Sequence, residues 1–179
     1  MGYPTVALFD KEFIERTKKI LTGNFKDYDF TLLINCLVGL LILPNEIKNK
    51  HFGKEHLKQT IGLFPKSIKS IFSEEQVFYY QDQTQKAKQM QKCTFLTNKG
   101  ENKSALTIPF SELLGKFRNA IAHFNIQPTK SSDNDKWEGI IIKNKYYNKY
   151  MKKSFITMKL YLSKEELKEI VAFIIKQYK

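Results

Sequence analysis

The sequence predicts a mainly α-helical bundle with a small two-stranded β-hairpin inserted before its last helix. Three observations carry this. An almost wholly apolar run occupies Thr31 to Pro44, and segments near 108–124 and 165–179 repeat apolar residues at helical spacing. Between those two segments lie two short stretches with strand-like character, the second of them alternating with a period of two. A length of 179 residues suits one domain spanning 1–179, large enough to bury a core without disulfide or metal staples. Apolar residues make up 42% of the chain, including 14 Phe and 9 Tyr, which excludes global disorder.

Taken in order, Phe9, Phe13, Ile14, Ile20 and Leu21 predict a first helix over 10–22, capped by Asp10 and ended by Gly23 and Asn24. A second helix starts near Asp27 or Asp29 and runs to Leu43, where Pro44 stops it; apolar nearly all round, it belongs at the centre. Weaker helical patterns follow at 53–62, 65–72 and 75–92. The stretch "QDQTQKAKQMQKCTFLTNKGENKS" is the least core-like part and reads as mobile. Thr107 and Pro109 resemble a helix start, because threonine caps free N–H groups and proline fits the first turn; a helix over 108–124 follows. After "KSSDNDK", the segments Trp137–Asn144 and Ser154–Leu162 read as paired strands, with Ile156, Met158, Leu160 and Leu162 on one face. Ser163 and Glu166 form a capping box before a last helix whose stripe is Leu167, Ile170, Val171, Ile174 and Ile175.

A formal charge of +12 and a pI near 9.5 point to an anionic partner, nucleic acid first and an anionic membrane second. The 28 lysines against two arginines, Arg16 and Arg118, also fit an AT-rich genome, so charge alone is modest evidence. It makes Arg118, an arginine inside an apolar helix pattern, conspicuous. Cys36 and Cys93 have no framework or ligand spacing and read as reduced thiols. Asp10, Lys11 and Glu12 stand where a signal peptide needs its apolar segment, and the longest apolar run is too short to span a bilayer, so a cytoplasmic protein is expected.

On a helical wheel, Phe110, Leu113, Leu114, Phe117, Ile121 and Phe124 share a sector of roughly 100°, the predicted core face. Arg118 and His123 flank the far side, about 140° apart with about 7.5 Å of rise between them. One straight helix does not aim both at one atom. Ser111, Gly115, Asn119 and Ala122 lie between them and are mostly small, which would let a second helix approach; a two-fold dimer through Ser111, Gly115 and Ala122 would build a shared basic cleft. The competing structural reading pairs Arg118 with Glu112 or Glu46 and gives Asn119 a buried helix–helix hydrogen bond.

The segment "RNAIAH", Arg118 to His123, matches the Arg, polar residue, three residues, His signature of the HEPN superfamily. "LLINCLVGLLILPNE", followed far downstream by this motif, a hairpin and a final helix, resembles the small stand-alone prokaryotic members. The resemblance covers most of the chain except about 50–105. It implies a metal-independent endoribonuclease, a toxin or antiphage effector, with Arg118 and His123 as catalytic residues and Asn119 in support. Arginine can hold the phosphate and the charge developing on it, while histidine, with an ordinary pKa near 6.5, moves the proton. The RNA 2′-OH is then the nucleophile, no cofactor or metal is required, and 2′,3′-cyclic phosphate and 5′-OH ends result. Expected partners are RNA, a second copy of the chain, and an antitoxin or nucleotidyltransferase-type regulator. A non-catalytic module that binds RNA or protein is the alternative.

"KNKYYNKYMKK" interleaves Lys143, Lys145, Lys149, Lys152 and Lys153 with Tyr146, Tyr147 and Tyr150, suited to phosphate contact and base stacking, or else a solvated hairpin tip. His51 and His56 lack companion ligands, so no metal site is assigned. The glycines form no phosphate-cradling loop, nucleophile elbow or dinucleotide fingerprint.

Overall fold

The computed structural model describes residues 34–36, 39, 57–81, 87–130 and 137–177. The predicted first helix, most of the second, His51, His56 and "SSDNDK" lie outside these residues. Ile34, Asn35, Cys36 and Gly39 are helical, and Cys36 is buried in the main core, as the central apolar helix requires. Elsewhere the expectation of a mainly helical bundle is wrong. The described residues form an α+β structure: helices α1 (Lys66–Ile71), α2 (Phe110–Ala122) and α3 (Lys164–Gln177), and strands β1 (Val77–Gln81), β2 (Ala87–Gln91), β3 (Cys93–Phe95), β4 (Ile126–Lys130), β5 (Trp137–Asn148) and β6 (Lys153–Ser163).

All the strand pairings are antiparallel, in the order β2-β1-β4-β5-β6-β3. The two outermost strands, β2 and β3, follow each other in the chain with only Lys92 between them. Lys92 N–H donates to the Gln76 carbonyl at 2.7 Å and its carbonyl accepts from Tyr161 N–H at 2.8 Å. The sheet therefore curls until its edges meet at Lys92, which leaves no open ladder there. The Lys92 ammonium also pairs with Glu166 at the start of α3.

One face of the sheet packs against the helices. Ile140, Ile142, Met158, Leu160, Leu162, Cys93 and Phe95 meet Phe110, Leu113, Leu114, Phe117 and Ile121 of α2 and the predicted stripe of α3, all buried. Phe64, Phe110 and Phe173 add tilted and edge-on ring contacts at 4.7–5.7 Å. The concave face holds a smaller cluster of Met90, Ile141 and Tyr161, with Phe78 stacked on Tyr161 at 3.4 Å. Gly139 belongs to that close approach: a Cβ there would lie 2.5 Å from the Leu162 carbonyl oxygen and 2.6 Å from the Tyr161 ring.

The departures from expectation have identifiable causes. Within 75–92 the described residues form β1 and β2 instead of a helix. "VFYYQ" is rich in β-branched and aromatic residues. "AKQMQ" has little strand preference of its own and is held by pairing from Val77↔Gln91 to Gln81↔Ala87. The stretch read as least core-like supplies Met90, Cys93 and Phe95 to the two clusters. Thr107 does not cap α2: its hydroxyl donates to the Ser104 carbonyl, and Pro109 holds the cap position without a side-chain bond. The hairpin and the capping box are present, with Glu166 N–H on Ser163 Oγ and Ser163 N–H on Glu166 Oε2. Ile156 leaves the predicted inward face and is exposed, because Thr157 and Met158 together oppose Asn144 in a bulge.

Candidate active site

α2 ends where the motif ends. His123 N–H donates to the Asn119 carbonyl, Phe124 N–H to Ile121 and Asn125 N–H to Ala120, so the last turn closes as a Schellman motif with His123 as its cap. The next residue, Phe124, adopts φ +50 and is 91% exposed. The wheel placed it in the core with Phe117 and Ile121; the helix stops first, because Ile126 turns back into β4 and packs against the core. No glycine or proline marks this stop.

Arg118 is half-buried and forks onto its neighbour, with Nε donating to Asn119 Oδ1 at 3.2 Å and Nη2 at 3.0 Å. Among the described residues no carboxylate pairs with it. Glu112, the described candidate for that role, instead accepts from Lys103 at 2.8 Å and lies 3.5 Å from Lys116. Asn119 thus orients Arg118. Among the described residues this bond to Arg118 is the side-chain contact Asn119 makes. His123 is exposed, with φ −99 and ψ 14, in the bridge region that active-site residues often occupy. The last turns of α2 carry an oriented guanidinium, with no carboxylate partner among the described residues, and an accessible imidazole at the helix cap.

Register ties this end to the sheet. The Lys143 N–H donates to the Asn125 carbonyl at 2.9 Å, and Lys143 stands opposite Lys159 on β6. Like charges placed directly opposite disfavour the pair. Lys143 Nζ donates to Gln127 Oε1 at 3.1 Å, and no carboxylate pairs with either lysine among the described residues. Burial pushes both ammonium groups below the ordinary lysine value, and the neighbouring lysines add to it: Lys145 and Lys88 beside Lys143, Lys143 and Lys88 beside Lys159. Lys159 escaped sequence reasoning, since only the strand register places it against Lys143.

The other predicted contacts lie apart. Lys145, Tyr146, Tyr147, Lys149, Tyr150, Lys152 and Lys153 are exposed along the outer hairpin. Its tip is shaped by Asn148 Oδ1, which accepts from the Tyr150 and Met151 N–H groups at 3.0 and 3.1 Å. Asn148 is five residues beyond Lys143, about 16 Å at strand rise, so the tip does not join the motif directly. Ser111 and Ala122 are exposed and Gly115 is half-buried, with nothing within 4 Å of where its Cβ would be; among the described residues this face of α2 carries no tight packing.

Among the described residues no cluster of three or more His, Cys, Asp or Glu is placed to hold a metal ion, and no helix is long and apolar enough to cross a membrane. Cys36 and Cys93 are free and buried, and burial raises both thiols, which disfavours the thiolate. The family model that matches this chain is described as HEPN pEK499 p136 and covers residues 1–179. Neither a curated protein nor a solved structure matches.

Proposed function

The chain belongs to the HEPN pEK499 p136 family, and from that premise we propose that it is a metal-independent endoribonuclease, a toxin or antiphage effector whose cleft is shared by two copies. The observation that supports this is the Arg118 guanidinium, oriented by Asn119 and paired with no carboxylate among the described residues, with the exposed His123 five residues further along the chain. An unneutralised, oriented guanidinium suits a phosphate, which it can grip with two parallel hydrogen bonds. The 2′-oxygen attacks phosphorus as it loses its proton, the P–O5′ bond breaks, and the departing O5′ takes a proton. One imidazole suffices for one of these transfers. Two copies would supply both, one histidine as base and the other as acid, and the loosely packed face of Ser111, Gly115 and Ala122 is where they would meet. A nucleotidyltransferase-type enzyme or an antitoxin would restrain the activity.

The purified protein is expected to cut single-stranded RNA in EDTA. Binding without cleavage would instead favour the non-catalytic module. If the cleft is shared, verified mixed dimers of one wild-type and one His123→Ala chain should lose nearly all activity, because one of the two proton transfers then has no imidazole. Mixed dimers that keep half of the wild-type activity or more would refute the shared cleft.

Lys143 and Lys159 project from the concave face of the sheet, opposite to α2, and would hold the RNA backbone away from the motif. The double change to glutamine should weaken RNA binding and reduce the slope of log affinity against log salt by about 1.4, the value for two single-strand phosphate contacts. An unchanged slope would remove both lysines from the interface.

A further inference from the structure

We infer that Phe124 is a stacking platform for the RNA base next to the cleaved phosphate, an inference that rests on the proposed RNA-cleaving function. Its position is unfavourable twice over. A phenylalanine at φ +50 occupies the left-handed cap conformation that glycine or asparagine takes at ordinary helix ends. Its ring, 91% exposed, recovers nothing by burial. Backbone strain and an exposed aromatic ring coincide at one residue, directly after His123 and directly before Asn125, whose carbonyl holds Lys143.

The surroundings select the ligand. Arg118, on the same helix, supplies positive charge, and no carboxylate among the described residues pairs with it. A nucleotide presents the complementary features, a phosphate for the guanidinium and a flat π-face for the ring, and stacking of this kind tolerates any base. The left-handed turn projects the ring away from the core that takes Phe117 and Ile121, so a base could rest on it while its phosphate reaches Arg118. A duplex would not offer that face, which makes the substrate single-stranded or unpaired RNA.

The experiment compares wild type, Phe124→Gly and Phe124→Trp by RNA affinity, cleavage, unfolding midpoint and oligomeric state. Two short single-stranded RNAs serve as probes, one intact and one with an abasic residue beside the cut site. Expected are an unfolding midpoint for Phe124→Gly equal to or above that of wild type and an unchanged oligomer. Affinity for the intact RNA should drop by about 10-fold with little further loss for the abasic RNA, and Phe124→Trp should restore discrimination. If wild type cleaves but treats both RNAs alike, the platform is refuted and the nuclease stands. A Phe124→Gly chain that loses its oligomeric state would mark Phe124 as a subunit contact and overturn the inference. Failure of wild type to bind RNA would refute both.

Discussion

His123→Ala and Arg118→Ala should each lower metal-free RNA cleavage by about 10²-fold or more, the usual contribution of a positioned acid–base group or of a donor to a developing anion. Both should stay folded. His123 is an exposed cap whose stabilising contact is made by its backbone N–H, which alanine retains. Truncating it should therefore shift stability by no more than about 0.5 kcal/mol. Among the described residues Arg118 hydrogen-bonds by side chain to Asn119 alone, so its loss also leaves the core intact. Arg118→Lys is the sharper control. It keeps the charge but cannot fork onto Asn119 Oδ1 or grip a phosphate in parallel, so activity should fall well below wild type. The readout is kcat/KM on a synthetic RNA in EDTA, alongside thermal unfolding. Folded variants that cleave as fast as wild type would reduce the motif to a helix terminus.

Phe117→Ala should destabilise the fold by about 3–5 kcal/mol, a large fraction of the stability of a domain this size. Phe117 is fully buried where α2 meets the sheet, and its removal leaves a cavity that Leu113, Ile121 and the β5 isoleucines cannot close without moving. Urea or guanidinium unfolding measures this directly. A loss below about 1 kcal/mol would mean that α2 is not anchored through this residue. Activity should collapse with it, because α2 carries Arg118 and His123.

Phe117 and Phe124 also mark how far the sequence can be read. Helical periodicity placed Phe117 correctly and gave Phe124 the same role, because the apolar pattern runs on to 124 and no glycine stands where the helix stops. The stop comes from Ile126, which is drawn into the sheet by pairing with Ile142. The same limit explains β2, whose "AKQMQ" is strand only because β1 lies beside it, and the seam at Lys92, which depends on contacts far apart in the chain. Local signals did better. The capping box of Ser163 and Glu166, the stripe of α3, the β5–β6 hairpin and the buried face of α2 all follow from residues within a few positions of one another. At the candidate site, Arg118, Asn119 and His123 could be named from their motif. The Arg118–Asn119 fork, the engagement of Glu112 by two lysines and the facing of Lys143 and Lys159 are products of folded geometry.

The central claim concerns chemistry, and the ends of the cut RNA test it most directly. A defined single-stranded RNA incubated with purified protein in EDTA should yield 2′,3′-cyclic phosphate and 5′-OH termini, identified by mass spectrometry, with both absent for His123→Ala. Termini carrying 3′-OH and 5′-phosphate, or the same cyclic products from the His123→Ala protein, would contradict it.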